Sequence, residues 1–270
     1  MSNKLVISGY GWLAGYLDRA LSSDFQLTAT SRSEDKLSEL SKRGVRGIKY
    51  ALGDDTSSLC QAVEGATFIL NIPPGRKNTA LDEFTHNMLS LIDDVVNANA
   101  KHIIFVSTTS VYGDTTDAEI SETTATSPET ASARAHVAIE THLNSSHSHV
   151  PYTIVRLAGL VGPDRHPVRS LSGRTLDAGN KRVNLVHVAD VVKALEVITV
   201  KGGKNATYHL CSDLHPKRGE YYVNAAKAIG VTPPHFSDTE KPPVGKYVNA
   251  RNSWSELNIT PAYSDPHLMY

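Results

Sequence analysis

A short apolar run, Lys4-Leu5-Val6-Ile7-Ser8, passes into Gly9-Tyr10-Gly11-Trp12-Leu13-Ala14-Gly15, then into a helix-like stretch and a second apolar run ending Thr30-Ser31-Arg32. A dinucleotide site is built in this order. Glycines at 9 and 11 let the chain turn sharply and bring its backbone against a pyrophosphate, whose charge the free N–H groups of the following helix stabilise. The turn follows a strand and opens a helix, the context that gives a GxGxxG pattern its meaning. Two registers are open for the third glycine. GxGxxG puts Ala14 there, whereas GxxGxxG ends at Gly15 and puts Trp12 at the middle glycine. Gly9, Gly11, Trp12 and Leu13 are the expected cofactor contacts; the bland alternative is a strand-to-helix turn without a ligand.

A chain of 270 residues is long enough for one large α/β domain, or for a core domain with a smaller lobe. Lysine and arginine number 27 against 28 aspartates and glutamates, a balance that gives no electrostatic footprint for nucleic acid or an anionic membrane. Cys60 and Cys211 match no metal or CxxC spacing and read as free thiols of a reduced compartment, a disulfide being the alternative. Histidines 142, 147 and 149 lack the i, i+4 pair or Cys partner of a zinc site and read as surface residues, so no metal is expected. The chain enters its first strand without a signal-peptide pattern, and no apolar run approaches the ~20 residues of a membrane span. A soluble cytoplasmic protein without nucleic-acid or membrane partners is the expectation.

Strand candidates near 4–8, 25–31, 47–52, 67–72, 102–107 and 152–157 alternate with helical patterns near 13–23, 34–43, 57–64, 79–99 and 129–144. The spacing predicts a Rossmann-type α/β fold, a doubly wound parallel sheet with crossover helices. Beyond about 158 the chain changes character: Gly, Pro, Arg and His cluster at 159–182, and Pro233-Pro234 and Pro242-Pro243 favour turns. Residues 1–158 are therefore read as the dinucleotide-binding domain, with 188–211 returning to it. Residues 159–187 and 212–270 are read as a small C-terminal substrate lobe closing over the sheet's carboxyl edge, where open α/β sheets bind ligands.

Three segments carry a resemblance. Phe105-Val106-Ser107-Thr108-Thr109-Ser110-Val111-Tyr112-Gly113-Asp114 resembles the fifth-strand motif of the extended short-chain dehydrogenases, the NAD-dependent epimerase/dehydratase superfamily. Arg156-Leu157-Ala158-Gly159-Leu160-Val161-Gly162-Pro163 resembles the loop holding the nicotinamide end of the cofactor there, and Val186-His187-Val188-Ala189-Asp190-Val191 its HVxDV segment. More narrowly, the combination is similar to an atypical, YeeZ-like bacterial subgroup. The resemblance implies cofactor contacts from Ser107, Leu157, Ala158 and Gly159, and a small polar substrate such as a sugar nucleotide; homodimer formation is left open. Asn71, Ile72 and Pro73, ending the fourth strand, should border the cofactor's central ribose, and Arg76 beyond them could reach a phosphate, an acidic substrate or only water.

The chain departs from that family where the chemistry is done. Extended members carry Tyr-x-x-x-Lys-x-x-x-Glu on the helix after VYG, and aligning the glutamate on Glu140 puts Ser132 in the tyrosine position and His136 in the lysine position. A serine hydroxyl is a poor acid or base unless another group takes its proton, a task within reach of an imidazole titrating near ~6.5. Thr108 stands where the family has a substrate-binding Ser or Thr, so Thr108, Ser132 and His136 are the candidate catalytic residues; ordinary polar residues beside a non-catalytic pocket are the alternative. Arg165, His166, Asn184 and His187 fall where the family lines its substrate pocket, a solvated polar loop being the alternative. Tyr112 is read either as offering its phenol to that pocket or as a packed aromatic with its hydroxyl at the rim.

An NAD-binding protein usually places Asp or Glu after the second strand, on the adenosine ribose; this chain has Thr30, Ser31 and Arg32. With no acid and a guanidinium available for a phosphate, NADP is the expected cofactor and NAD the second choice. Two functions stay open: an oxidoreductase or epimerase with a degenerate catalytic pair, and a non-catalytic NADP-binding regulatory or sensor module.

Overall fold

A computed structural model describes residues 3–75, 80–114, 117–146 and 149–270. In chain order the first part runs β1 (Asn3–Ser8), α1 (Trp12–Leu21), β2 (Phe25–Ser31), α2 (Glu34–Lys42), β3 (Arg46–Lys49), α3 (Ser57–Val63), β4 (Thr67–Leu70), α4 (Leu81–Asn97) and β5 (His102–Thr108). Then come a 3-10 turn (Thr109–Tyr112), β6 (Glu119–Ile120), α5 (Ala131–Ser146), β7 (Tyr152–Leu157), β8 (Gly159–Val161), α6 (Val168–Leu171), β9 (Thr175–Leu176) and β10 (Leu185–His187). The chain continues through α7 (Val188–Lys201), β11 (Ala206–Leu210), α8 (Arg218–Ile229), β12 (His235–Phe236), β13 (Tyr247–Val248) and α9 (Arg251–Leu257).

Seven strands form a parallel sheet flanked by helices, in the order β11-β7-β5-β4-β1-β2-β3. The order reverses after β3, where the chain returns to the other side of β1, the doubly wound arrangement that the alternating pattern predicts. β1 is buried through Leu5, Val6, Ile7 and Ser8 because helices cover both of its faces, which explains its unbroken apolar run. On one face Val6, Phe68, Leu70 and Phe105 pack with Met88, Leu91, Ile92 and Val95 of α4 and Ala135 and Ile139 of α5. α1 buries Leu13, Ala14, Leu17 and Leu21, the i, i+3/i+4 stripe of an amphipathic helix.

The chain divides into two compact units. The Rossmann unit takes residues 1–111, 128–155 and 195–207; the second takes 112–127, 156–194 and 208–270. Segment 112–127 joins the second unit because β6 pairs with β13 and Glu122 accepts a hydrogen bond from Ser253. Within that unit β10 pairs with β8 and β12 with β9, and Val161, Val168, Val183, Leu185, Tyr221 and Tyr222 form the centre of its core. Both cysteines are free thiols, Cys211 buried and Cys60 partly so. Among the described residues no helix is long and apolar enough to cross a membrane.

Candidate functional site

The Rossmann unit builds the glycine turn from backbone. Gly9 has φ +92°, and a Cβ there would meet the Asn71 carbonyl oxygen at 2.6 Å, so position 9 is closed to any side chain. Asn71 fixes the turn further: its N–H donates to Ser8 O at 2.9 Å and its side-chain amide to Gly9 O at 3.2 Å. Gly9 N–H donates to the Thr30 hydroxyl at 3.0 Å, tying the turn to the end of β2. Gly11 is different. It caps α1 with an ordinary φ of −103°, and a Cβ built on it meets no protein atom within 4 Å.

Gly11 thus leaves open space at a helix N-terminus without an acidic residue in its first turn, an arrangement that suits a pyrophosphate. Leu13 is buried, while Trp12 stays half-buried with its ring centre 4.9 Å from that of Tyr16. Ala14 and Gly15, the two candidates for the third glycine position, both lie inside α1, Ala14 fully buried and Gly15 partly so.

At the end of β2, Ser31 accepts the Ser33 N–H at 3.2 Å and Ser33 caps α2 by accepting the Lys36 N–H. Arg32 is exposed between them, and Glu34, the nearest acid, pairs with Lys49 at 2.5 Å. Ile72 is half-buried and Pro73 exposed, whereas Arg76 lies outside the described residues.

The expected cofactor contact Ser107 and the expected catalytic residues Thr108 and His136 are all hydrogen-bonded within the unit. Ser107 donates its hydroxyl to Glu140 at 2.6 Å, both side chains buried, which locks the end of β5 to α5. Thr108 Oγ1 accepts the Ser110 N–H at 3.1 Å and donates to Ser110 Oγ, the local capping typical of a strand-end threonine. His136 donates from Nδ1 to the Ser132 carbonyl at 2.8 Å, so the bond between these positions uses Ser132 backbone rather than its hydroxyl. That bond leaves Nε2 as the basic nitrogen. The ring stacks on Phe105 and is 8% exposed; burial lowers its pKa and keeps it neutral at neutral pH.

In the second unit most of the expected ligand residues are bonded to neighbours within the unit. Tyr112 is buried, its hydroxyl bonded to His209 Nε2 at 2.6 Å and receiving a bond from Arg156. Asn184 donates to Lys246 O and accepts the Val248 N–H, acting as a bridge to the β13 segment. His166 accepts the Val168 N–H at Nδ1 and so donates from Nε2 to Tyr221 at 2.8 Å; burial pulls its pKa down to about 4. His187 accepts the Ala189 N–H at the start of α7 and stacks on Tyr263 with ring centres 3.6 Å apart. Burial lowers its pKa as well. Arg165 is exposed on the tight turn where it pairs with Gly162. Ala158 and Gly159 donate their N–H groups to Leu210 and Asn184, and Leu157 is buried. Asp190 was not expected at the sequence level: buried, it accepts the Ala262 and Tyr263 N–H groups at 2.8 and 3.0 Å. Its place in the HVxDV segment was the available signal. Among the described residues no three His, Cys, Asp or Glu side chains cluster as a metal site.

Residues 15–196 match the NAD(P)H-binding family, and the chain belongs to it; its fold is of the epimerase/dehydratase kind. The chain is 32% identical over 276 residues to Protein YeeZ of Escherichia coli strain K12, covering 98% of each. A functionally unknown conserved protein from Silicibacter pomeroyi shares the fold at TM-score 0.77 and 23% identity, over 99% of this chain and 96% of that one. UDP-glucuronic acid 4-epimerase from Bacillus cereus, solved in complex with NAD, shares it at TM-score 0.81 and 15% identity, over 98% and 95% of the two chains.

Proposed function

We propose that this protein is an NADP(H)-dependent oxidoreductase or epimerase acting on a small polar substrate of the sugar-nucleotide class, without the tyrosine and lysine pair of its superfamily. The observation that carries the cofactor half is the cradle at Gly11, open where Gly9 is closed. Arg32, aided by Ser31, would read the 2′-phosphate; NAD is the second choice and is the cofactor bound to the Bacillus cereus epimerase. When bound, the nicotinamide supplies hydride chemistry. Among the chain's own groups, His136 Nε2 would hold or release the proton that a phenol handles elsewhere, and Thr108 would orient the substrate. The substrate class rests on the same epimerase, named for UDP-glucuronic acid.

Two observations favour a second reading, an NADP-binding sensor without catalysis: Thr108 is engaged in a local cap and His136 is a buried, neutral, stacked ring. Calorimetric titration with NADPH, NADP+, NADH and NAD+ comes first, followed by a turnover screen of NADPH against carbonyl compounds and sugar nucleotides. Turnover that falls ~10²–10⁴-fold in His136→Ala supports the enzyme reading. Tight binding with no turnover supports the sensor, and no binding of any dinucleotide removes both.

A further inference from the structure

The middle residue of the glycine turn is tied down at its far end. Tyr10 stands between Gly9 and Gly11, its N–H donating to Thr30 O at 2.9 Å and its hydroxyl donating to Asp18 Oδ2 at 2.6 Å. Arg43, just past the end of α2, closes the triangle: Nη1 donates to the Tyr10 hydroxyl at 3.2 Å and Nη2 lies 2.7 Å from the same carboxylate oxygen. Asp18 is 1% exposed, and its Oδ1 is buried without a hydrogen-bond partner. A carboxylate so placed depends on the two groups that reach its other oxygen. Burial first, and the bond to Asp18 second, push the Tyr10 pKa up to about 12, so the phenol remains a donor.

Packing alone does not hold the tyrosine. A cavity of about 300 Å³, lined by Tyr10, Lys36, Glu39, Leu40, Lys42 and Arg43, lies beside the residue. α1 meanwhile has its own apolar anchors in Leu13, Ala14, Leu17 and Leu21. The hydroxyl adds to these anchors a polar tie from residue 10 to the buried Asp18 of α1. It fixes the direction of residue 10, and with it the backbone of two flanking glycines that have the widest conformational freedom of any residue.

We propose that Asp18, the Tyr10 hydroxyl and Arg43 are positioning residues that hold the Gly9–Gly11 turn in the shape that receives a dinucleotide pyrophosphate. The inference rests on the cofactor reading above. It assigns a role in cofactor affinity to three residues outside the motif's own glycines, among them Asp18 on α1 and Arg43 just past α2, 33 residues beyond Tyr10.

The test uses the full chain with Tyr10→Phe and Arg43→Gln, and Leu17→Val as a core control that lowers stability without touching the triangle. Hydrogen exchange over residues 9–15 in cofactor-free protein reads the order of the turn, and calorimetry with NADPH reads affinity. Tyr10→Phe and Arg43→Gln should speed exchange across the turn and weaken NADPH binding by up to roughly tenfold, the factor by which the population of binding-competent turn falls. Leu17→Val should leave the affinity at the wild-type value. Unchanged exchange in Tyr10→Phe overturns the proposal, and so does an affinity loss in Leu17→Val equal to that of Tyr10→Phe at the same melting temperature. Should the wild type bind no dinucleotide, the cofactor reading fails and the exchange result alone decides whether the triangle holds the turn.

Discussion

The two units use their polar residues in opposite ways. In the Rossmann unit two of the expected ligand positions leave room: a Cβ added at Gly11 would meet no protein atom within 4 Å, and Arg32 is exposed at the end of β2. In the second unit Tyr112, His166, Asn184 and His187 are each bonded to neighbours within the unit. A site made from chain geometry leaves its mark in glycine spacing. One made from side chains shares its letters with the polar bonds that hold a core, and spacing cannot separate the two.

The sharpest contrast is between the two glycines of the turn. Gly9→Ala should destabilise the protein by roughly 2–4 kcal/mol, because φ +92° is strained for alanine and its Cβ would sit 2.6 Å from the Asn71 oxygen. Gly11→Val should fold with a melting temperature near that of wild type, and lose at least about a hundredfold in NADPH affinity through a clash with the pyrophosphate. Denaturation curves and calorimetry on both variants check this. Wild-type affinity in Gly11→Val would remove the cradle as the cofactor site.

The second unit should answer a buried change with instability. Asp190→Ala leaves two backbone N–H groups, those of Ala262 and Tyr263, without their acceptor, an expected loss of roughly 3–5 kcal/mol in urea unfolding. Asn184→Ala, which frees one carbonyl and one N–H, should lose less. If either variant instead kept wild-type stability, the HVxDV segment and Asn184 would be free for a ligand after all.

The sheet was legible because β1, β2, β4 and β5 are short apolar runs separated by amphipathic helices, and their bounds fall within a few residues of the periodicity. The short strands β6, β8, β9, β12 and β13 were not, since two- or three-residue pairings carry no alternation to read. Of the candidate site, the Gly9 constraint was legible as a glycine, but its cause was not: the Asn71 carbonyl that forbids a Cβ lies 62 residues away in sequence. His136 illustrates the reverse. Its spacing from Ser132 invites a proton relay between side chains, whereas a helix offers the i−4 carbonyl at the same distance, and that is the group the imidazole meets.

Each unit also buries one strongly perturbed histidine, and acid should find both. His102 donates from Nε2 to Thr153, whose hydroxyl is committed to Lys204 O, leaving Nδ1 buried without a partner. Burial, with Lys101 adding repulsion, pulls the His102 pKa down to about 4, as burial does for His166. The folded pKa lies below the unfolded one, so the stability each neutral ring represents is fully present above about pH 6.5 and is lost as pH falls through about 4. Each contributes up to roughly 3 kcal/mol to that loss. Urea midpoints measured from pH 7 to pH 4 should fall steeply, and His102→Gln, which cannot titrate, should flatten the slope by about one proton. An unaltered slope would mean that His102 does not govern acid sensitivity in the Rossmann unit.

The smallest expected effect separates the two nicotinamide cofactors. Arg32 is exposed between Ser31, which accepts the Ser33 N–H, and Ser33, which caps α2, and its guanidinium is the group at this strand end best suited to a 2′-phosphate. Glu34, which would repel that phosphate, is engaged by Lys49. A charge-assisted contact of ~1.5–3 kcal/mol predicts that Arg32→Ala weakens NADP binding by roughly ten- to a hundredfold. NAD has no 2′-phosphate, and its affinity should hardly change. Calorimetry with both cofactors on both proteins measures the difference, and salt should erode the NADP advantage because the contact is exposed. Equal losses for NADP and NAD would show that Arg32 shapes the end of β2 rather than reading the phosphate, and would leave NAD, as in the Bacillus cereus epimerase, the better choice of cofactor.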